Sequence, residues 1–259
     1  MNNQKVFGIV ALKGGVGKTT LVANLGASLV KNFNKKVLMV DANFSTPHLG
    51  LHVGMVGPKY NLQSVLNNEY SIYEAIYQHP LGFHIIPGKV SSSKVNPLLL
   101  KEKLSPLKDI YDVILIDSSP SLNEEIVSTM VASDEILVVS SPDYPTLSST
   151  LYASKVAKKE NTSIKGIILN RVRGKRFELC PKDISSVSDI KILASIPEDV
   201  KVAAALSRMT PIIHFAPKHT ISHEVNSLAS TLIGEKYQKS KLSRLKKKIF
   251  SSKEGDWND

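Results

Sequence analysis

Eight consecutive residues near the start of the chain carry its most specific chemistry: Lys13, Gly14, Gly15, Val16, Gly17, Lys18, Thr19 and Thr20. Glycines at three of these places let successive backbone N–H groups curl around phosphate oxygens. Lys18 brings a mobile positive charge to terminal phosphates and the Thr19 hydroxyl is a ligand for magnesium, while a helix starting here adds the positive potential of its N-terminus. The common spacing G-x-x-x-x-G-K-[ST] would put its first glycine at position 12, which is Leu12, so the strict pattern is not met. Two aspartates, Asp41 and Asp117, each follow an apolar run. A carboxylate ending a buried strand beside a phosphate loop suits a magnesium-bound water, although the same residue could cap the next helix.

The elements that must position these groups are legible as patterns. Short β-branched runs recur at Val6 to Leu12, Val37 to Val40, Phe83 to Ile86, Val113 to Ile116, Ile136 to Val139, Ile164 to Leu169 and Ile190 to Ile196, with helix-length segments between them. Leu21, Leu25 and Leu29 repeat at the spacing of one helical face directly after the phosphate loop. Near-continuous apolar strands alternating with helices predict an α/β fold with a doubly wound, mostly parallel sheet, because only a sheet covered on both faces buries both sides of its strands. The expected division is a phosphate-binding domain over residues 1–235 and a basic tail over 236–259.

Composition narrows the function classes. The chain has 259 residues, 42% of them hydrophobic and 22% charged, which suits a globular protein with a sizeable core. No apolar run approaches the roughly 18 residues needed to span a bilayer. The apolar start stops at Lys13 without a small-residue cleavage site, so it reads as a strand and a cytoplasmic location is expected. Cys180 is the single cysteine, which excludes an internal disulfide framework and a cysteine-rich metal site within one chain. The net charge of +10 favours an anionic partner, nucleic acid or acidic lipid. Eight basic residues from Lys236 to Lys253 stand against four acidic ones in the last 25 positions.

The form K-G-G-V-G-K-T-T resembles the deviant phosphate loop of the ParA/MinD family of P-loop ATPases, and the resemblance runs over most of the chain. It implies an ATP- and Mg2+-binding protein that forms a homodimer with ATP and hydrolyses it, with Lys13 reaching the partner's phosphates. Asp41 and the following Ala-Asn-Phe-Ser-Thr-Pro-His-Leu-Gly are similar to the family's first switch, and Asp117, in Ile-Leu-Ile-Asp-Ser-Ser-Pro, to its second. By the same resemblance Asn170 and Arg171 match the position that reads adenine, and Pro197, Glu198 and Asp199 the loop against the base. Ser71 to Ile76 and the Ile-Ile-Pro-Gly run at Ile85 to Gly88 are similar to MinD-like chains of archaeal type.

The chain departs from the family at two places. Asn43 stands where a second switch aspartate positions the attacking water, and an amide cannot usefully accept a proton, so slow hydrolysis is expected. Ser121 and Leu122 after Pro120 are closer to the ParA switch. A MinD-like switch would dock on an anionic membrane surface and position partner proteins, whereas a ParA-like protein would bind DNA through surface lysines. A metal-delivery enzyme on this fold would need cysteines that are absent. Leu242, Leu245 and Ile249 fall on one helical stripe flanked by Phe250, with Lys241, Arg244, Lys247 and Lys248 elsewhere, so residues 239–250 predict a reversible membrane-binding helix resembling the MinD targeting helix.

Overall fold

The computed structural model describes residues 4–90, 95–121 and 123–237. Eight strands form one sheet: β1 (Lys5–Val10), β2 (Val37–Ala42), β3 (Tyr77–Gln78), β4 (His84–Ile86), β5 (Val113–Ser118), β6 (Glu135–Ser140), β7 (Ser163–Val172) and β8 (Ile192–Pro197). The helices are α1 (Lys18–Phe33), α2 (Leu49–His52), α3 (Leu62–Leu66), α4 (Leu100–Leu104), α5 (Glu124–Ala132), α6 (Tyr144–Lys159), α7 (Pro181–Ser188), α8 (Val200–Ser207), α9 (Ile212–Phe215) and α10 (Thr220–Ile233). The expected α/β fold with a doubly wound, mostly parallel sheet is what the chain adopts.

The order across the sheet is β3-β4-β2-β5-β1-β6-β7-β8, and every pair is parallel except β3 with β4. All seven apolar runs become strands. The two-residue β3 has too little apolar pattern to announce itself and exists only through pairing with β4. The run read as Val6 to Leu12 ends as a strand at Val10, because the chain then turns into the glycine loop.

In the central strands side chains alternate between two buried faces. Phe7, Ile9, Met39, Leu115, Leu137 and Val139 join the core under α1 and α10, while Leu38, Val40, Ile114 and Ile116 pack towards α3 and α4 and Ile136 and Val138 towards α5, α6 and α7. Both faces of each central strand are dry, which is why their sequences read as unbroken apolar runs. Helix α1 is sandwiched between sheet and α10, so its Leu21, Leu25 and Leu29 are buried and so are Ser28 and Asn24 beside them. Ser28 donates to Asn226 of α10 at 2.7 Å, which satisfies the hydroxyl inside this layer.

The sheet's far edge depends on a close backbone approach at Gly166. A Cβ there would lie 2.7 Å from the Lys191 carbonyl oxygen and 2.6 Å from Leu193 Cγ. Gly166→Ala should therefore cost about 1–3 kcal/mol by forcing β7 from β8. Urea unfolding checks this, and an unchanged midpoint would contradict it.

Candidate nucleotide site

The strand order reverses around β1, with β5 on one side and β6 on the other, and in such sheets ligands bind at the carboxyl ends of the strands at that point. There the chain places the loop Lys13 to Gly17 between β1 and the first turn of α1. Gly15 and Gly17 adopt φ of +77° and +92°. At Gly17 a side chain is excluded twice, because a Cβ would also lie 2.3 Å from Asn170 Nδ2.

Register brings the two aspartates together. Asp41 on β2 pairs with Asp117 on β5, and Ile9 of β1 flanks Asp117 on the other side. Both carboxyls are buried, yet they are held very differently. Asp41 accepts from the Asn43 N–H at 3.3 Å and from the Leu49 N–H at 2.9 Å, so it closes its own loop and caps α2. Asp117 has no hydrogen-bond partner for either oxygen. Helix α5 is capped by Asn123, which leaves Asp117 without a capping duty.

Burial and then the neighbouring Asp117 charge raise Asp41 well above the ordinary carboxylate range, against the pull of the Leu49, Asn43 and His48 amides. Burial likewise raises Asp117, opposed by the nearby Thr19 hydroxyl and Lys18 ammonium; Thr19 is close enough to bias the carboxyl without meeting hydrogen-bond geometry. Lys18 is only 7% exposed, and burial lowers its pKa in spite of Asp117. An orphaned carboxylate beside a threonine hydroxyl is a donor set that fits a hydrated magnesium ion, which Asp117 and Thr19 would hold, with the Lys18 charge nearby.

Lys13 lies against its own chain. Its ammonium donates to Asp143 at 3.2 Å and to the Thr146 hydroxyl at 3.0 Å. Asp143 caps α6 through the Thr146 N–H at 2.9 Å. Burial works to raise the Asp143 carboxyl, but hydrogen bonds from Ser141, Thr146 and Lys13 bring it down to about 2. Asn43 is similarly engaged: its Nδ2 donates to the Thr46 carbonyl at 2.7 Å and its Oδ1 accepts from the Thr46 N–H at 3.2 Å. An aspartate there would set a carboxylate against that carbonyl, so the local turn itself selects the amide.

A cleft of about 190 Å³ opens beside the loop, lined by Gly17, Thr20, Asn170, Arg171, Pro197 and Asp199 together with apolar side chains of α8 and α10. The five residues expected around a base, Glu198 included, thus meet in one place next to the phosphate loop. Asn170 Nδ2 donates to the Val16 carbonyl at 2.7 Å, which ties β7 to the loop and leaves Oδ1 for other partners. Asp199 caps α8 through the Lys201 N–H at 2.8 Å.

Sequence reasoning missed Asp143 and Thr146, and it gave Gly88 only as a mark of resemblance. A side chain at Gly88 would meet Pro47 at 2.5 Å and crowd the Asp41 carboxyl at 3.3 Å, so the Ile85 to Gly88 run also closes the site. Asp143-Tyr144-Pro145-Thr146 is readable as a helix cap, but nothing in it shows that it faces Lys13.

A strand, a glycine loop opening a helix, a lysine and threonine beside an orphaned aspartate, and a base-sized cleft together define a P-loop nucleotide-binding protein. Residues 4–166 match the AAA domain family. An uncharacterised ATP-binding protein of Methanocaldococcus jannaschii is 33% identical over 243 residues, covering 93% of this chain and 90% of its own. The septum site-determining protein MinD of Thermotoga maritima is 27% identical, covering 89% and 88%. The solved structure of MinD from Pyrococcus horikoshii, complexed with Mg-ADP, superposes with a TM-score of 0.84 at 31% identity, covering 93% of this chain and 98% of that one. The chain belongs to the ParA/MinD family of P-loop ATPases and is MinD-like.

Two outcomes follow from the geometry. Gly17→Ala should keep the fold by circular dichroism and weaken Mg-ADP binding more than tenfold by calorimetry, since it strains the loop and displaces Asn170; wild-type affinity would contradict the loop assignment. The raised carboxyls mean that the folded state holds protons more tightly than the unfolded chain, so ligand-free stability should fall as pH rises from about 4 through the raised values. Asp117→Asn should flatten that fall and add on the order of 2 kcal/mol at pH 8. Urea unfolding at pH 5 and 8 tests this, and a variant less stable than wild type at pH 8 would refute it.

Proposed function

We propose that this chain is a MinD-type switch that binds Mg-ATP, dimerises in the ATP state, hydrolyses slowly, and docks reversibly on an anionic membrane surface to position partner proteins. The observation that carries the nucleotide reading is the orphaned Asp117 carboxylate beside Lys18 and Thr19. The amides of Gly14, Gly15, Val16 and Gly17 would hold phosphate oxygens, Lys18 would neutralise the terminal phosphates, and Asn170, Arg171, Pro197 and Asp199 with Thr20 would hold the base and sugar. A bound magnesium ion supplies charge neutralisation at the transferred phosphoryl group. This chain's part is to orient: Asp41 keeps its loop closed, and Asn43, committed to Thr46, has neither the charge nor the freedom to take a proton from water. That arrangement supports slow turnover.

Lys13 would have to leave Asp143 and Thr146 to reach a second copy. Lys13→Ala should thus keep nucleotide affinity within a few fold and abolish ATP-dependent dimers in light scattering; normal dimers would overturn the cross-subunit role.

The membrane reading rests on the tail pattern, whose Leu242, Leu245, Ile249 and Phe250 lie outside the described residues. Among the described residues no helix is long and apolar enough to cross a membrane. The DNA-binding alternative draws on the exposed cations Arg171, Arg173 and Lys175, of which Arg171 lines the cleft and Arg173 is paired with Glu198. Lys18→Ala should weaken Mg-ATP binding at least tenfold by calorimetry, because it removes a charge-assisted contact. Deleting residues 239–259 should abolish ATP-dependent sedimentation with anionic vesicles and leave ATP binding intact. Sedimentation that survives the deletion, or preference for duplex DNA over vesicles at equal salt, would replace the membrane reading with the partition-type one.

A further inference from the structure

The segment between Asp41 and α2 is fastened at three places, and each fastening leads to a different part of the site. Its ends are held by Asp41 itself through Asn43 and Leu49. Helix α2, into which it runs, reaches the phosphate-loop helix, where His52 Nε2 and the Thr20 hydroxyl lie 3.2 Å apart. Its middle crosses to α5: the Phe44 N–H donates to Glu125 Oε2 at 3.2 Å and the Ser45 hydroxyl donates to Glu125 Oε1 at 2.7 Å. Glu125 therefore uses both carboxylate oxygens, and it uses them on two successive residues of a loop 80 positions earlier in the chain.

Glu125 stands in the first turn of α5, and α5 follows directly on the segment that leaves Asp117. That first turn is itself braced. Asn123 accepts from the Glu125 N–H at 3.1 Å, and the hydroxyls of Ser128 and Thr129 donate to the Glu125 carbonyl at 2.8 and 3.2 Å. A displacement at the start of α5 must then either carry the 44–45 loop with it or break two hydrogen bonds to a charged acceptor. Such bonds are stronger than neutral ones, so the loop is expected to follow.

We infer that Glu125 is a positioning residue that couples the Asp117 segment to the Asp41 loop, so that a nucleotide-dependent change at Asp117 is passed to residues 43–49. The inference rests on the proposed nucleotide reading, and it goes beyond it by naming the side chain that joins the two loops. Glu125 touches neither the phosphate loop nor the cleft, so its removal leaves the binding groups in place.

Hydrogen exchange of the full chain, read on a peptide covering residues 43–49 without nucleotide, with Mg-ADP and with a slowly hydrolysed Mg-ATP analogue, tests this. In wild type the exchange should differ between nucleotide states. In Glu125→Ala it should be roughly tenfold faster or more and the same in every state, with Mg-ADP affinity within about threefold of wild type. Ser45→Ala removes one bond and leaves α5 untouched, so it should give a smaller, several-fold rise that Glu125→Ala does not enlarge additively. Exchange in Glu125→Ala that stays protected and nucleotide-responsive overturns the coupling, as does unchanged exchange in Ser45→Ala should Glu125→Ala not fold. A wild type that binds no nucleotide would instead sink the reading beneath it.

Discussion

Two carboxyl groups buried side by side on neighbouring parallel strands set the terms for everything built above them. Parallel register fixes Asp41 opposite Asp117, with apolar strands around both. Taking an ionised carboxylate out of water costs several kcal/mol unless hydrogen bonds or opposite charge offset it. The two residues meet that cost in different ways. Asp41 collects backbone amides and becomes the anchor of the loop that follows it. Asp117 collects none, and has only the Lys18 ammonium and Thr19 hydroxyl for company. A group that burdens the ligand-free fold, and that a cation would relieve, turns part of the protein's own stability into ligand affinity.

The phosphate loop is correspondingly well braced. Asn170 holds it from β7 and Asp143 with Thr146 holds Lys13 from α6. Through His52 and Thr20 the first helical turn is tied to the Asp41 loop, and through Glu125 that loop is tied to α5. These are small polar contacts laid over a dry core, and they leave the core indifferent to their making and breaking.

Much of this was legible in the sequence because its signals are local. Unbroken apolar runs at Val37 to Val40 or Val113 to Ile116 can only be strands covered twice, and Gly17-Lys18-Thr19 after such a run specifies its own geometry. The side chains facing Lys13, Asn43 and Ser45 were not legible. Asp143 and Glu125 look like ordinary helix caps and first-turn acids, and what they meet depends on strand order, which no local pattern encodes. Asn43 is an instructive case: its difference from the family pattern was visible, whereas its bonding to Thr46, which accounts for the amide, required the folded turn. The short β3 escaped notice since pairing alone creates it.

In the proposed nucleotide reading the two aspartates divide the labour, with Asp117 open to a cation and Asp41 spent on its loop. The most direct measurement is the ratio of ADP dissociation constants without and with magnesium, taken by calorimetry on wild type, Asp117→Asn and Asp41→Asn. The account predicts that Asp117→Asn brings the ratio close to one while leaving metal-free affinity nearly unchanged. Asp41→Asn should weaken binding in both conditions and keep most of the ratio. A ratio that survives in Asp117→Asn and collapses in Asp41→Asn would contradict the assignment.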